Sequence, residues 1–416
     1  MIGRKLREKL RAFGRALIGR DFTFWAFTAA LCVWLGYLVL LTSFFASSLY
    51  EVPILNQRFF GRMLCLAVAL GEAGRITRGE YSGKDAVAIA LAFLMCRGFY
   101  LHQDWAMLYS TIAIFGARGL PLRRLLWPAV ITVFSVTLFV IVCSQVGVVP
   151  DVILDHGNGR LRHCLGFLYT LYPAQYLLNI TLVLCFLLDR KMRPPHALLL
   201  LAATGGMFLL TQSRLIAFVG ACVVLAFLVR KLPANNMLRT GKIYAVLSWA
   251  FPATVVITAI ASITYVICTN GAPEVASVFN TLTEGRVGLQ VRGLATFGAR
   301  PFGQTVQWVG SGLDVNGVSH ANEGYNFVDN LYLHSLIQHG IIYTVALITL
   351  ATARAHRAWR GGETALVLVL AAVAFQAMFD DLSLGLNFCA MWLSLASLYQ
   401  NAKGRKHNAS PQRKET

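Results

Sequence analysis

An all-α membrane protein with about twelve spanning helices is the fold class that the sequence predicts, and three observations predict it. Of the 416 residues, 56% are hydrophobic and only 13% charged, with a mean hydropathy of +0.60; soluble domains carry roughly a quarter charged residues. Apolar runs of about 20 residues, the length that crosses a bilayer, recur along the chain. Basic residues fall in short clusters between those runs, as the positive-inside rule requires.

Taken in order, the elements begin with a basic stretch (Arg4, Lys5, Arg7, Lys9, Arg11, Arg15, Arg20) ahead of an uncharged run from Phe22 to Tyr50. That run exceeds a signal-peptide core of about 7–15 residues and lacks a small-residue cleavage site, so it reads as a first spanning helix and not a removed leader. The length criterion then places helices near 22–46, 59–73, 84–100, 103–118, 124–147, 166–188, 195–212, 214–230, 243–268, 331–352, 363–379 and 382–400. A polar notch from Gln212 to Arg214 separates the seventh helix from the eighth. The chain divides into a basic N-terminus (1–21), helices one to nine (22–268), a large loop (269–330), helices ten to twelve (331–402) and a polar tail (403–416) whose composition predicts disorder.

Charge tests this map. With the N-terminus inside and the helices alternating, all Lys and Arg fall on the cytoplasmic side except Arg58, Arg62, Arg97, Arg160, Arg162, Arg214, Arg286, Arg292 and Arg300. Every lysine is inside. Both termini are therefore expected in the cytoplasm, with the protein multi-pass in a bacterial inner membrane. Two long segments, 147–165 and 269–330, fall on the outer face. The second is far longer than an ordinary connection, and such loops are commonly functional. It reads as one amphipathic helix from Pro273 to about Phe297, then a Gly-rich aromatic stretch through Tyr325.

The net charge of +18 does not indicate nucleic acid, because the basic residues are dispersed between apolar runs and do not form one face with interleaved aromatics. The nine cysteines show no CxxC and no Cys/His ligand spacing. No Walker loop, GxGxxG, DxD or HExxH motif occurs, so neither nucleotide chemistry nor a catalytic metal has sequence support. Asp380-Asp381 has two readings, a cation site or simply a helix end. No Asp, Glu, Lys or Arg is expected at mid-bilayer depth, where ion-coupled transporters place their ionisable groups. Polar groups crowd the outer surface instead.

Several of these groups carry two readings each. Arg214, in LLTQSRLIAF, is either a turn arginine snorkelling at the interface or a guanidinium facing an anion, since its planar fork of donors suits phosphate. Arg286 and Arg292 sit on the loop helix, either solvated or facing a ligand. Arg300, beside Pro301, reads as a loop charge. Arg160, Arg162 and His163 line a site entrance or lie at the interface. In NFVDNLYLHSLIQHGII, Asp329 and Asn330 open the tenth helix, where a carboxylate caps free N–H groups; alternatively Asp329 is a general base. His334 lies four residues after Asn330 on the same helix face. His339, deeper, reads as a core histidine.

The ordered set resembles the O-antigen ligase/polymerase family of membrane glycosyltransferases. TQSRLIAF looks like the family's helix-start arginine string, GRVGLQVRGLATFGARPFG is similar to its loop pattern, and DNLYLHSLIQHGII matches a His/Asp-Asn-x-Tyr-Leu…Gly signature with Gly340 at the glycine. RLRHCLGF is similar to an arginine–glycine–phenylalanine string of capsule polymerases. The resemblance spans roughly 160–345.

It implies a GT-C-like polytopic glycosyltransferase, independent of metal and cofactor, that inverts at the anomeric carbon. Its donor would be an undecaprenyl-diphosphate-linked oligosaccharide drawn from membrane lipid, with chain-length regulator and flippase proteins as partners. Arg214 and Arg286 would engage the diphosphate. Asp329 would stand where ligases carry a catalytic histidine, with His334 as the alternative base. Arg292, Asn330, Tyr332, Arg160, Arg162 and Arg300 would contact substrate. An Asp-Asn pair at that position is similar to polymerases of capsule and exopolysaccharide systems, so repeat-unit polymerisation leads. The alternatives are glycan ligation and lipid-linked oligosaccharide export.

Overall fold

Long uncharged runs cannot leave backbone N–H and C=O groups unpaired in lipid, and a helix satisfies them within one segment. The computed structural model of the chain follows that rule: 72% of it is helical. It describes residues 19–52, 54–155, 159–230 and 241–399, with the side chain of Asn322 excepted. Most of the basic N-terminus and the whole tail 403–416 lie outside the described residues.

In chain order the helices are α1 (Arg20–Leu41), α2 (Phe45–Glu51), α3 (Gln57–Thr77), α4 (Gly83–Leu101), α5 (Trp105–Gly116) and α6 (Leu122–Gln145). A hairpin follows, β1 (Ile153–Asp155) and β2 (Leu161–His163). Then come α7 (Tyr172–Leu188), α8 (Pro194–Thr211), α9 (Arg214–Val229), α10 (Lys242–Leu247), α11 (Ala250–Gly271), α12 (Pro273–Leu282), α13 (Arg286–Phe297), α14 (Leu331–Gln338), α15 (Ile341–Arg360) and α16 (Thr364–Gln376). The last described segment, Ala390–Tyr399, is wound as a 3₁₀-helix.

Among the described residues, five helical segments are long and apolar enough to cross a membrane: Arg20–Leu41, Leu122–Gln145, Tyr172–Lys191, Pro194–Thr211 and Ala250–Gly271. Four shorter ones are apolar but have only 10–17 residues: Trp105–Gly116, Arg214–Val229, Thr364–Gln376 and Ala390–Tyr399. α8 and α11 expose most of their apolar surface, and lipid is the solvent such a surface requires. This is an all-α membrane protein by composition and helix length.

Several elements differ from the sequence expectation, each for a local reason. The sixth helix begins at Tyr172, not near 166. Residues 161–163 pair antiparallel with 153–155, and Asp151 holds the hairpin by accepting from the Leu165 N–H (2.7 Å) and meeting His163 Nδ1 (2.6 Å). The loop helix is two helices, because Glu284 (φ 52°) and Gly285 (φ 80°) take left-handed conformations between them.

The tenth helix is broken at Gly340 (φ 94°) into α14 and α15. Here residues 300–304 press against the break. Ile341 N–H donates to the Arg300 carbonyl (3.0 Å), Ile342 N–H to that of Pro301 (3.1 Å), and Gln304 N–H to that of Gln338 (3.0 Å). A Cβ on Gly340 would lie 2.2 Å from the Gly303 nitrogen.

Ion pairs mark one end of the bundle. Buried Arg118 meets Glu72 (2.9 Å) and Asp85 (3.7 Å), and Arg75 also pairs with Asp85. At the same end Arg230 pairs with Asp189, and Arg354 with Glu363 at 2.6 Å. A buried charge needs such a partner, and closing the helix turns here supplies one. The opposite end carries the β-hairpin, α12 to α14 and the turns after α4, α8 and α16.

Candidate functional site

Residues 328–332 are pinned across the C-terminal end of α16, and this contact builds the candidate site. Asn330 caps α14, its Oδ1 accepting from Leu333 N–H at 3.0 Å, while its Nδ2 donates to the Met378 carbonyl at 2.7 Å. Leu331 N–H donates to Ala377 O (2.9 Å). The Tyr332 hydroxyl donates to Ala374 O (3.0 Å) and lies 2.6 Å from Thr254 Oγ1 on α11. The crossing brings Asp329 to Asp380 and Asp381, which follow α16.

Arg286 reaches the same place from α13. Gly285 turns the chain so that Arg286 opens the helix, and its guanidinium donates to the Phe379 carbonyl. Arg286 acts electrostatically on all three carboxylates without forming an ion pair with any of them. Burial pushes the Asp329 carboxyl above its usual range, and Arg286 partly offsets it. The Asp380 carboxyl is raised to about 6, by burial first and then by Asp329. Asp381 is raised well above the carboxylate range, by burial and by both other aspartates. Like charges in a desolvated pocket cannot all ionise, so the group shares protons near neutral pH.

Arg162, on β2, joins from the other side. Its Nε donates to the Thr211 carbonyl at 2.9 Å, and its charge is felt by Arg286 and by Tyr169. Burial raises the Tyr169 hydroxyl well above its usual range, with Asp329 adding to the shift. Tyr325 is pushed up to about 12 by burial and Asp329. Arg162, Arg286, Asp329, Asp380, Asp381, Tyr169 and Tyr325 are therefore one electrostatic unit. Between α7, α8 and α9 lies a small apolar cleft of about 10 Å³ lined by Leu178, Met207, Phe208, Ala217 and Thr211, and the Thr211 carbonyl is the one that accepts from Arg162.

His334 forms the wall behind this unit. It is buried, its ring stacked on Trp308 with centroids 4.9 Å apart at 26°. Its Nδ1 lies 3.8 Å from Asp381 Oδ2, beyond hydrogen-bond range. Trp308 Nε1–H in turn donates to Gln338 Oε1.

Of the residues expected to share a site, the structure gathers Arg162, Arg286 and Asp329, with Arg160 beside Arg162 and His334 one layer behind. Asn330 and Tyr332 have their polar atoms engaged in holding α14 to α11 and α16. Arg214 opens α9 beside the Thr211 turn, but its side chain is exposed, as are those of Arg292 and Arg300. None of these three makes a side-chain hydrogen bond or ion pair among the described residues. Tyr169 and Tyr325 carried no sequence signal beyond being interfacial aromatics. Asp380-Asp381 was visible as a polar pair, but not as a neighbour of Asp329. Among the described residues, no three His, Cys, Asp or Glu side chains converge as metal ligands.

A helical membrane protein with a partly buried, mixed-charge cluster at one end is the class that these features define. No protein-family model, curated protein or solved structure matches the chain.

Proposed function

We propose that the protein is a metal-independent membrane glycosyltransferase that polymerises polyprenyl-diphosphate-linked oligosaccharide repeat units. In this reading the chain has about twelve spans in a GT-C-like arrangement. Both termini are cytoplasmic, and the site faces the outer side of the inner membrane. The observation that carries it is the partly buried cluster of two guanidiniums and three aspartates beside the C-terminal end of α8. A diphosphate tethered to a polyprenyl chain combines two negative phosphates with a long apolar tail; Arg286 and Arg162 suit the phosphates, and the exposed apolar face of α8, which ends at Thr211, suits the tail.

The chemistry follows from the charges. The acceptor hydroxyl attacks the anomeric carbon of the donor's reducing-end sugar. The bond from that carbon to the diphosphate oxygen breaks, and the oxygen keeps the electron pair. The new charge develops beside Arg286 and Arg162, whose guanidiniums are held in place by backbone carbonyls and so stabilise it without reorganisation. The acceptor's proton passes to Asp329. A carboxyl displaced toward neutrality is better matched to that transfer than one at its ordinary value. Arg214 at the cleft's rim would meet the diphosphate only on substrate entry.

The test uses the purified full chain in lipid vesicles with a single lipid-linked repeat unit, and mass analysis of the product. Products of two or more units with release of polyprenyl diphosphate support polymerisation. Transfer to a different acceptor without extension would make the protein a ligase. Vesicle translocation of unaltered substrate would make it an exporter.

A further inference from the structure

α12 (Pro273–Leu282) has three sides of different composition. Residues three, four and seven apart share one side of an α-helix. Val275, Val278 and Leu282 keep that spacing and are 55%, 60% and 77% exposed. Glu274, Ser277 and Thr281 keep the same spacing one residue earlier, and all three are exposed as well. Ala276 is buried, with Phe279 and Asn280 half-buried beside it. One side thus meets protein, one is aliphatic and bare, and one is polar and bare.

The protein side fixes where the helix lies. Only Ala272 separates α12 from α11, and α12 packs back against α11. The Asn280 carbonyl accepts from Gly285 N–H (2.7 Å) and its Oδ1 from Gly288 N–H (3.1 Å), which ties α12 to α13. A Cβ on Gly288 would stand 2.8 Å from Asn280 Oδ1 and 3.0 Å from the Tyr265 hydroxyl of α11, so the three helices close on one point. α11 is itself bare along Val256, Ile260, Ile263 and Ile267, a stripe that runs toward the end on which α12 rests.

Lipid, a second copy of the chain or another protein could cover the aliphatic side, and the observations favour lipid. The stripe is valine and leucine alone, with none of the tryptophan, tyrosine or arginine that anchors protein partners. It adjoins α11, a spanning helix whose exposed apolar surface lipid must cover. The polar side next to it needs water at the same depth, and the boundary between acyl chains and headgroups is where the two solvents meet. α12 carries no Lys or Arg, so its seat depends on apolar burial and not on anionic lipid.

The geometry points to α12 as an in-plane helix seated in the membrane surface, with Val275, Val278 and Leu282 in the acyl chains and Glu274, Ser277 and Thr281 in water. The partner is the bilayer around the protein, whichever side of the membrane this end of the bundle faces. The inference goes beyond the transferase reading and does not rest on it.

The test places a nitroxide on Val278→Cys or Thr281→Cys in the full chain, with the exposed Cys222 changed to serine, in phosphatidylcholine nanodiscs. Both positions are exposed, so neither label displaces packed atoms, and the Cys222→Ser chain treated alike gives the background. Power-saturation EPR then compares collisions with oxygen, which concentrates in acyl chains, and with a nickel chelate, which stays in water. The Val278 label should relax chiefly through oxygen and the Thr281 label through nickel, with the same contrast when phosphatidylglycerol is added. The inference is overturned if the Val278 label meets nickel as freely as the Thr281 label does, which would make the stripe solvated. Shielding of the Val278 label from both reagents would overturn it by showing a protein cover, as would a contrast that appears only with anionic lipid. Failure of the transferase reading would show separately, as normal product length from Arg286→Ala protein.

Discussion

Arg286 stands where one guanidinium offsets three aspartates, and the consequences of removing it differ from those of removing any one carboxylate. Without it Asp329, Asp380 and Asp381 have only one another, and all three move further toward protonation. Asp380 offers a test with an unambiguous sign. Its folded carboxyl lies near 6, above the ordinary value, so its contribution to stability is full below the unfolded pKa and is lost as pH rises through the folded one. Asp380→Asn keeps an oxygen for the Leu382 N–H and removes the titration. Its melting temperature should exceed that of the wild type at pH 8 by roughly 2–4 °C per kcal/mol recovered. The difference should narrow as pH falls and vanish only below the ordinary carboxylate value of about 4, as thermal melts in detergent at pH 8 and at about pH 3.5 would read. Asp329→Asn should lower turnover by roughly 10²–10⁴-fold, the usual contribution of a positioned base. In the wild type the acid limb of the turnover–pH profile should lie above the ordinary carboxylate range. Arg286 and Asp329 were legible in the sequence because a charge stood out in an apolar context. Tyr169 and Tyr325 were not, since interfacial tyrosines in a membrane chain are ordinary until folding sets them beside a carboxylate.

At the scale of elements, the helical and apolar character was legible, whereas the interruptions were not, and five of the expected twelve spans are long and apolar enough to cross a membrane among the described residues. A hydropathy run reports that backbone is removed from water, but α-helix, 3₁₀-helix and a broken helix all satisfy it. QHGIIYTV reads as continuous, yet Gly340 breaks it because the Gly303 backbone occupies the space where a Cβ would stand. The break is a long-range property, invisible to any local pattern. It predicts a contrast between two glycines. Gly340→Ala meets backbone at 2.2 Å from a left-handed φ of 94° and should cost about 2–4 kcal/mol, from strain and overpacking together. Gly205→Ala, in mid-α8 with nothing within 4 Å, should stabilise by roughly 0.5–1 kcal/mol through helix propensity. Parallel thermal unfolding of the two variants measures both signs. The 3₁₀ winding of Ala390–Tyr399 has no sequence signature that we can identify.

Across the whole molecule, charge is divided by function. Carboxylate–guanidinium pairs at one end, Arg118 with Glu72 and Arg354 with Glu363, close helix turns. At the other end Arg162 and Arg286 lie near three aspartates whose carboxyls are displaced toward the neutral form by burial, which leaves the guanidiniums with charge that an anionic substrate would meet. Alternating Lys and Arg clusters are the ground on which the sequence assigns the cytoplasmic and outer ends. The convergence of residues 162, 286, 329 and 380 depends on how distant segments pack, and no sequence pattern carries that. Because the proposed leaving-group stabilisation comes from guanidiniums, which stay charged at any working pH, activity in vesicles should persist undiminished in excess EDTA. Loss of activity on chelation, restored by a divalent cation, would contradict that role.

The most direct test of the account compares the rate of polyprenyl diphosphate release by wild type, Arg286→Lys and Arg286→Ala at saturating lipid-linked substrate. Removing one preorganised donor to a developing oxyanion slows chemistry by roughly 10²–10³-fold, so Arg286→Ala should fall in that range, with lysine recovering only part of the loss. A folded Arg286→Ala protein that releases polyprenyl diphosphate at the wild-type rate would contradict the central claim.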